Sequence, residues 1–129
     1  MGTDIHMIVQ THHDGVWLDS SARVIEDRSY VHFGILAGVR DSRFPPVRPL
    51  RGLPPDVAEP EEYAGSRLGE HSRSWLLVSE LDEYFEANPT LREDPWVNSG
   101  ELFEIVAEWR ALSRTGDGSD VRIVFGFDS

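Results

Sequence analysis

Hydrophobic and polar positions alternate at both ends of this chain. Ile5, Met7 and Val9 interleave with His6, Ile8 and Gln10, the period-two pattern of a half-buried strand. His12-His13-Asp14-Gly15 reads as a turn, with glycine where positive φ is useful, and Val16-Trp17-Leu18 as a short return strand. A β-hairpin is the expected opening element. Near Asp27 the period changes. Tyr30, Phe33, Leu36 and Ala37 fall on one helical face, with Asp27 or Ser29 to cap its start and Gly38 to stop it. Residues 41–73 hold six of the eight prolines, which forbids a regular helix or central strand there. Phe44, Val47, Leu50 and Leu53 supply apolar anchors, so an ordered loop draped over the fold is expected.

Ser79-Glu80-Leu81-Asp82 resembles a capping box, with Leu81, Tyr84 and Phe85 as the buried face and Asn88-Pro89 as the end. Ser99 opens a stronger helix, over about 101–114, on which Leu102, Ile105, Val106, Trp109 and Leu112 repeat at helical spacing. Glu101 and Glu104 near its start and Arg110 and Arg114 near its end have the signs that its dipole favours. After a turn at 115–118, Val121, Ile123, Phe125 and Phe127 alternate as a last strand. The whole predicts one α+β domain over residues 1–129: a small antiparallel sheet containing the first and last strands, about three helices, and a long Pro-rich loop.

Composition narrows the function. Cysteine is absent, which excludes disulfides, thiolate catalysis and Cys-type zinc sites. No apolar run is long enough to span a bilayer, and the N-terminus lacks the basic start and apolar core of a signal peptide, so a cytoplasmic location is the expectation. A net charge of −11 argues against general nucleic-acid binding. The charge is uneven. Arg40, Arg43, Arg48 and Arg51 stand against Asp41 alone between 40 and 53, whereas residues 80–109 hold nine acids and one arginine, Arg92. An acidic protein with one arginine-rich loop can still take up a small anion at that loop.

The polar residues that interrupt this pattern are the candidate chemistry. Asp4 and His6 sit at i and i+2 of a strand and point to one face. His71-Ser72-Arg73-Ser74-Trp75 is a second polar cluster. If Asp4, His6 and His71 converge, carboxylate and imidazole together suit a divalent metal ion. The alternative is that each simply satisfies a neighbour's hydrogen bond. A metallophosphoesterase is excluded because its Asp-x-His follows a strand and is succeeded by Gly-Asn-His-Glu boxes that this chain lacks. No Gly-x-Ser-x-Gly elbow supports acyl chemistry at Ser72 or Ser74. Arg28, Arg40, Arg43, Arg48, Arg51 and Arg73 form the other constellation, guanidinium forks for phosphate oxygens, with Tyr30, Phe44 or Trp75 as stacking rings. Their competing role is to neutralise Glu59, Glu61, Glu62 and Glu70.

Gly2-Thr3-Asp4-Ile5-His6, Arg28 with Tyr30 and Phe33, Leu36-Ala37-Gly38-Val39-Arg40, Arg51-Gly52-Leu53-Pro54 and His71-Ser72-Arg73-Ser74-Trp75-Leu76 taken together resemble a family of small uncharacterised proteins of bacteriophages and prophages. Towards the C-terminus only Arg122-Ile123-Val124-Phe125 continues the resemblance. The resemblance implies a phage accessory role and one site built from the motif positions; it brings no activity with it. Three functions follow as expectations. The first is sequestration of a small anionic, nucleotide-like ligand, of use in anti-defence, by Asp4, His6, Arg28, Tyr30, Arg40, Arg51, His71 and Trp75, with Arg40 and Arg51 on the phosphate. The second is a metal-dependent hydrolase of a phosphate-containing ligand, with Asp4, His6 and His71 as metal ligands. The third is an interaction module that uses the acidic 80–109 face. Homo-oligomerisation is compatible with all three.

Overall fold

The two alternating segments at the chain ends pair with each other along their length. The computed structural model describes residues 2–57 and 68–129. Its elements are β1 (Asp4–His13), β2 (Val16–Ser20), α1 (Tyr30–Ala37), β3 (His71–Leu77), α2 (Val78–Ala87), a 3-10 helix (Pro89–Glu93), α3 (Leu102–Ala111) and β4 (Val121–Asp128). They form an α+β fold whose sheet has the order β2-β1-β4-β3, with every neighbouring pair antiparallel. Register between β1 and β4 runs from Asp4 opposite Asp128 to Thr11 opposite Val121. At the hairpin, His13 pairs with Val16, so the loop is only Asp14-Gly15, both at positive φ (49° and 81°). That is the two-residue turn whose twist matches the strands. β1 therefore runs on through His12 and His13, which the sequence placed in the turn.

One face of the sheet carries Ile5, Met7, Val9, Ile123, Phe125 and Phe127, and it packs with Phe33, Ile35, Leu36, Leu81, Phe85, Ile105 and Trp109 of the three helices in one core. Trp109 is fully buried and donates its Nε1–H to the Arg23 carbonyl at 2.7 Å. The second face is closed too, since every residue of β4 from Val121 to Phe127 is buried. Arg122, only 4 % exposed, lies there and donates to Gln10 Oε1 at 2.8 Å and Asp56 Oδ2 at 2.6 Å beneath the Trp17 ring. Gly126 is required on this face: a Cβ built on it would stand 1.8 Å from the Leu68 carbonyl oxygen. Asp56 and Leu68 thus bring the Pro-rich segment onto the sheet from both sides of residues 58–67, which lie outside the described residues together with Glu59, Glu61 and Glu62.

Three further boundaries differ from the sequence expectation. His71–Leu77 is a strand, not the tail of a loop. Its alternation is hidden because the register shifts between His71 and Ser74, where Ser72 takes φ 54°. Helix α2 starts at Val78, not after Ser79: Glu80 Oε1 accepts from the Leu77 amide at 3.0 Å, so the acid caps the helix two residues earlier than Ser79 would allow. Helix α3 stops at Ala111 because the Asp120 carboxylate gathers Ser113 Oγ (2.6 Å), Arg114 N (2.7 Å) and Thr115 N (3.2 Å) into a turn. Burial works against that charge, but the four hydrogen bonds, Thr115 Oγ1 included, outweigh it and hold the Asp120 pKa down at about 2. The α1 caps agree with expectation: Ser29 Oγ accepts from the His32 amide, and Gly38 at φ 70° closes the end. Among the described residues no helix is long and apolar enough to cross a membrane.

His32 lies within the core at 2 % exposure and donates Nε2–H to the Val97 carbonyl at 2.7 Å. Desolvation lowers its pKa despite that bond and the charge of Asp27. A histidine depressed in the fold contributes stability that is complete above its unfolded pKa, about 6.5, and is lost as pH falls through that value toward the folded one. Urea titrations of the native chain at pH 7, 6 and 5 are expected to show stability falling with pH, and His32→Gln to flatten that fall. Equal slopes for the two proteins would remove His32 as the cause.

Candidate functional site

The sheet end that holds the first residues of β1 and the last of β4 gathers six of the eight residues singled out from the sequence. Asp4 accepts from Arg28 through two nitrogens, Nε at 2.6 Å and a terminal nitrogen at 3.2 Å, and this pairing lowers its pKa. Tyr30 opens α1 and turns its hydroxyl to the Thr3 amide at 3.2 Å and to Arg40 at 3.4 Å, with the Arg40 guanidinium 4.8 Å above its ring. The Thr3 amide first, then Arg40, lowers the Tyr30 pKa. His6 Nε2 lies 2.5 Å from Asp128 Oδ2. His71 shares its Nε2 with Ser129 Oγ at 2.8 Å and its Nδ1 with Ser72 Oγ at 3.0 Å, and Ser129 Oγ reaches Thr3 Oγ1 at 3.0 Å. Thr3 therefore joins the Tyr30 side to the His71 side in one network.

The metal set expected from Asp4, His6 and His71 is not assembled. Residues opposite one another across antiparallel strands project from the same face. His71 is opposite Phe127, which is opposite Ile5, so His71 shares their face and its ring lies over Phe127. Asp4 and His6 alternate with Ile5 and project from the other. Each is also committed elsewhere, Asp4 to Arg28 and His6 to Asp128. Among the described residues no group of three or more His, Cys, Asp or Glu side chains is placed to hold a metal ion. The partners that take up these groups, Asp128 and Ser129, come from the chain end, where nothing in the sequence marks them.

Arg51 and Trp75 form a second cluster further along β3. Arg51 donates to Glu80 Oε1 at 2.7 Å, lays its guanidinium 4.2 Å over the Trp75 ring, and bonds through its backbone amide to the buried Ser74 Oγ at 2.9 Å. Arg48 reaches the same carboxylate at 3.1 Å. Burial pushes the Glu80 pKa up, but the Arg51 hydrogen bonds, the Leu77 amide and the two guanidinium charges prevail and hold it below the ordinary value. This cluster fastens the Pro-rich segment to α2, and both terminal nitrogens of Arg51 are taken up by Glu80.

A groove opens between the start of α1 and the loop after the 3-10 helix. Arg28, Ser29, Tyr30, Val31, Arg43 and Trp96 line about 540 Å³ of it. Trp96 is 63 % exposed. Its loop is nonetheless fixed: Asp94 Oδ1 accepts from the amides of Trp96 (2.9 Å) and Val97 (3.1 Å), and His32 holds the Val97 carbonyl. Among the described residues the Arg43 guanidinium has no hydrogen-bond, ion-pair or ring partner. Sequence reasoning passed over Trp96. The available signal was a tryptophan between Pro95 and the Asn98-Ser99-Gly100 turn that belongs to no apolar period.

Comparison of the chain with protein-family models, characterised proteins and solved structures gave no match in any of the three. The fold and this geometry are the grounds for a functional reading.

Arg51→Ala leaves the half-buried Glu80 without its main partner and uncovers Trp75, so urea denaturation is expected to show a loss of about 1–3 kcal/mol. Arg114→Ala, at an exposed position beside His13, is expected to stay within about 0.5 kcal/mol of the parent. Equal effects at the two positions would mean that Arg51 is not a clamp.

Proposed function

We propose that this protein binds and sequesters a small anionic, nucleotide-like molecule, as a phage accessory product of use in anti-defence. The observation that carries the reading is where arginine charge is left over. Arg23, Arg48, Arg51, Arg110 and Arg122 are each neutralised by an acid of the fold. Among the described residues Arg40, Arg43, Arg73, Arg92 and Arg114 have no carboxylate partner, but Arg73 is taken up by the Gly69 carbonyl, Arg92 lies over Phe85 and Phe103 in a cleft lined by Asp82, Glu83 and Glu86, and Arg114 meets His13. That leaves Arg40 and Arg43 around Tyr30, where Arg28 shares the groove with Arg43 and Trp96. In a chain of net charge −11 an anion is repelled by most of the surface, so uncompensated guanidinium groups beside aromatic rings mark where it is accepted. The resemblance of Gly2–Leu76 to phage proteins supplies the biological setting. A hydrolase has less support, because the three ligands it would need are engaged separately.

The test is incubation with a mixture of nucleoside mono-, di- and triphosphates, removal of unbound material, and release by heat. Unaltered nucleotide released in stoichiometric amount is the expected result; a hydrolysed product would favour the enzyme. Arg40→Ala and Arg43→Ala are each expected to weaken retention roughly tenfold or more, the usual effect of losing a charge-assisted hydrogen bond. Arg114→Ala is expected to retain the nucleotide as the parent does. Loss at all three positions alike would make net charge, not a site, responsible.

A further inference from the structure

We infer that the ligand is of the mononucleotide class, one phosphate joined to one aromatic base, with the base on Trp96 and the phosphate between Arg28 and Arg43. The inference rests on the anion-binding reading above and goes beyond it by fixing the place, the base and the phosphate count.

Size, charge and rigidity each contribute. A groove of about 540 Å³ is in the range of small-molecule sites and holds a nucleoside monophosphate with room for solvent. Its lining side chains carry Arg28 and Arg43 against Asp27, and Asp4 pairs with Arg28, so Arg43 is the cation of the lining that makes no ion pair among the described residues. Asp4 already takes up Arg28 Nε and one terminal nitrogen, so the donors that remain on Arg28 and the whole Arg43 fork can serve a single phosphate. One phosphate meets both guanidinium groups of the lining; each further phosphate would add negative charge with no further lining cation to receive it and would stand against Asp27. Tyr30 and Val31 form the first turn of the eight-residue α1, and their amides add donors at the same wall. That turn supports the phosphate position and does not define the site; the paired guanidinium groups and the ring do.

Trp96 supplies the other half. An exposed tryptophan has an unfavourable hydration that a planar ring removes by stacking, and it is held ready to do so. Its amide is bonded to Asp94, its carbonyl accepts from Ser99 Oγ at 2.6 Å, and the next carbonyl is bonded by the buried His32. Little backbone order remains to be lost when a base stacks, which favours affinity. Stacking of one base on an aromatic side chain changes affinity by roughly five- to over a hundredfold.

The experiment is calorimetric titration of the full chain with AMP, ribose 5-phosphate, adenosine and ATP, on the parent, Trp96→Ala, Trp96→Phe and Arg43→Ala, with circular dichroism to verify that each is folded. The expected result is that AMP binds more tightly than ribose 5-phosphate or adenosine, and that ATP binds no more tightly than AMP. Trp96→Ala should weaken AMP roughly five- to over a hundredfold and leave ribose 5-phosphate unchanged, Trp96→Phe should restore most of the loss, and Arg43→Ala should weaken AMP and ribose 5-phosphate alike. If Trp96→Ala leaves AMP unaffected while Arg43→Ala weakens it, the anion-binding reading stands and the base subsite is refuted. ATP binding more tightly than AMP overturns the single-phosphate assignment. No binding of any of the four compounds overturns the inference and, with it, the groove as the anion site.

Discussion

The pairing of β1 with β4 is the constraint on which the rest of the structure depends. It places the two most apolar alternating segments side by side at the centre of a four-stranded sheet, with β2 and β3 outside them. β4 is then buried on both faces, and each face needs a cover. The three helices supply one. The other comes from the Pro-rich segment, whose Asp56 neutralises Arg122 and whose Leu68 carbonyl fits over Gly126. The described residues on either side of 58–67 are thereby part of the sheet's packing. The same pairing brings Thr3 and Ser129 into contact, so the Tyr30 and His71 networks meet only because the chain ends do.

Charge is handled by local compensation. Arginine is the only strongly basic residue in the chain, and its planar fork pairs with carboxylates through two nitrogens at once. Arg51 with Glu80 and Arg28 with Asp4 both use that geometry, the first half-buried and the second exposed. The half-buried pair matters more for the fold, because solvent screens the exposed one. Around the groove compensation is incomplete: the Arg43 guanidinium makes no ion pair among the described residues, and the tryptophan beside it is left outside the core. An uncovered ring and an uncovered charge at one place are both unfavourable in the free protein, and a ligand with a flat apolar part and an anionic part relieves both.

The sheet core and helices were legible in the sequence because burial imposes period two or period 3.6 on consecutive residues. Ile5 to Val9, Val121 to Phe127 and Leu102 to Trp109 all show it, and their periodic apolar positions enter the core, although β4 is buried on its second face as well. β3 was not legible, since a bulge at Ser72 breaks the alternation and leaves a polar start before Trp75-Leu76-Leu77. The candidate site was legible in part. Asp4, His6, Arg28, Tyr30, Arg40 and His71 gather at one sheet end, but which of them touch depends on strand register and on Asp128 and Ser129, and these are fixed by contacts more than 100 residues apart in the chain. A one-residue difference in parity decides that His71 faces away from Asp4 and His6. Trp96 was missed because exposure leaves no periodic trace, and Arg51 was overvalued because an arginine in a loop does not announce that Glu80 will meet it.

The chain contains four tryptophans in four different settings, and these make the most direct test. Trp17 lies over Arg122, Trp75 beneath Arg51, Trp109 in the core with its indole N–H on the Arg23 carbonyl, and Trp96 in the groove. Their indole N–H signals can be followed together in a ¹⁵N–¹H correlation spectrum during titration with AMP. If the groove is the site, the Trp96 signal moves with the saturation of the ligand, the backbone amides of Tyr30, Val31 and Arg43 move with it, and the other three indoles hold their positions. A shift confined to Trp75 or Trp17, or four unmoved indoles at saturating AMP, would contradict the account.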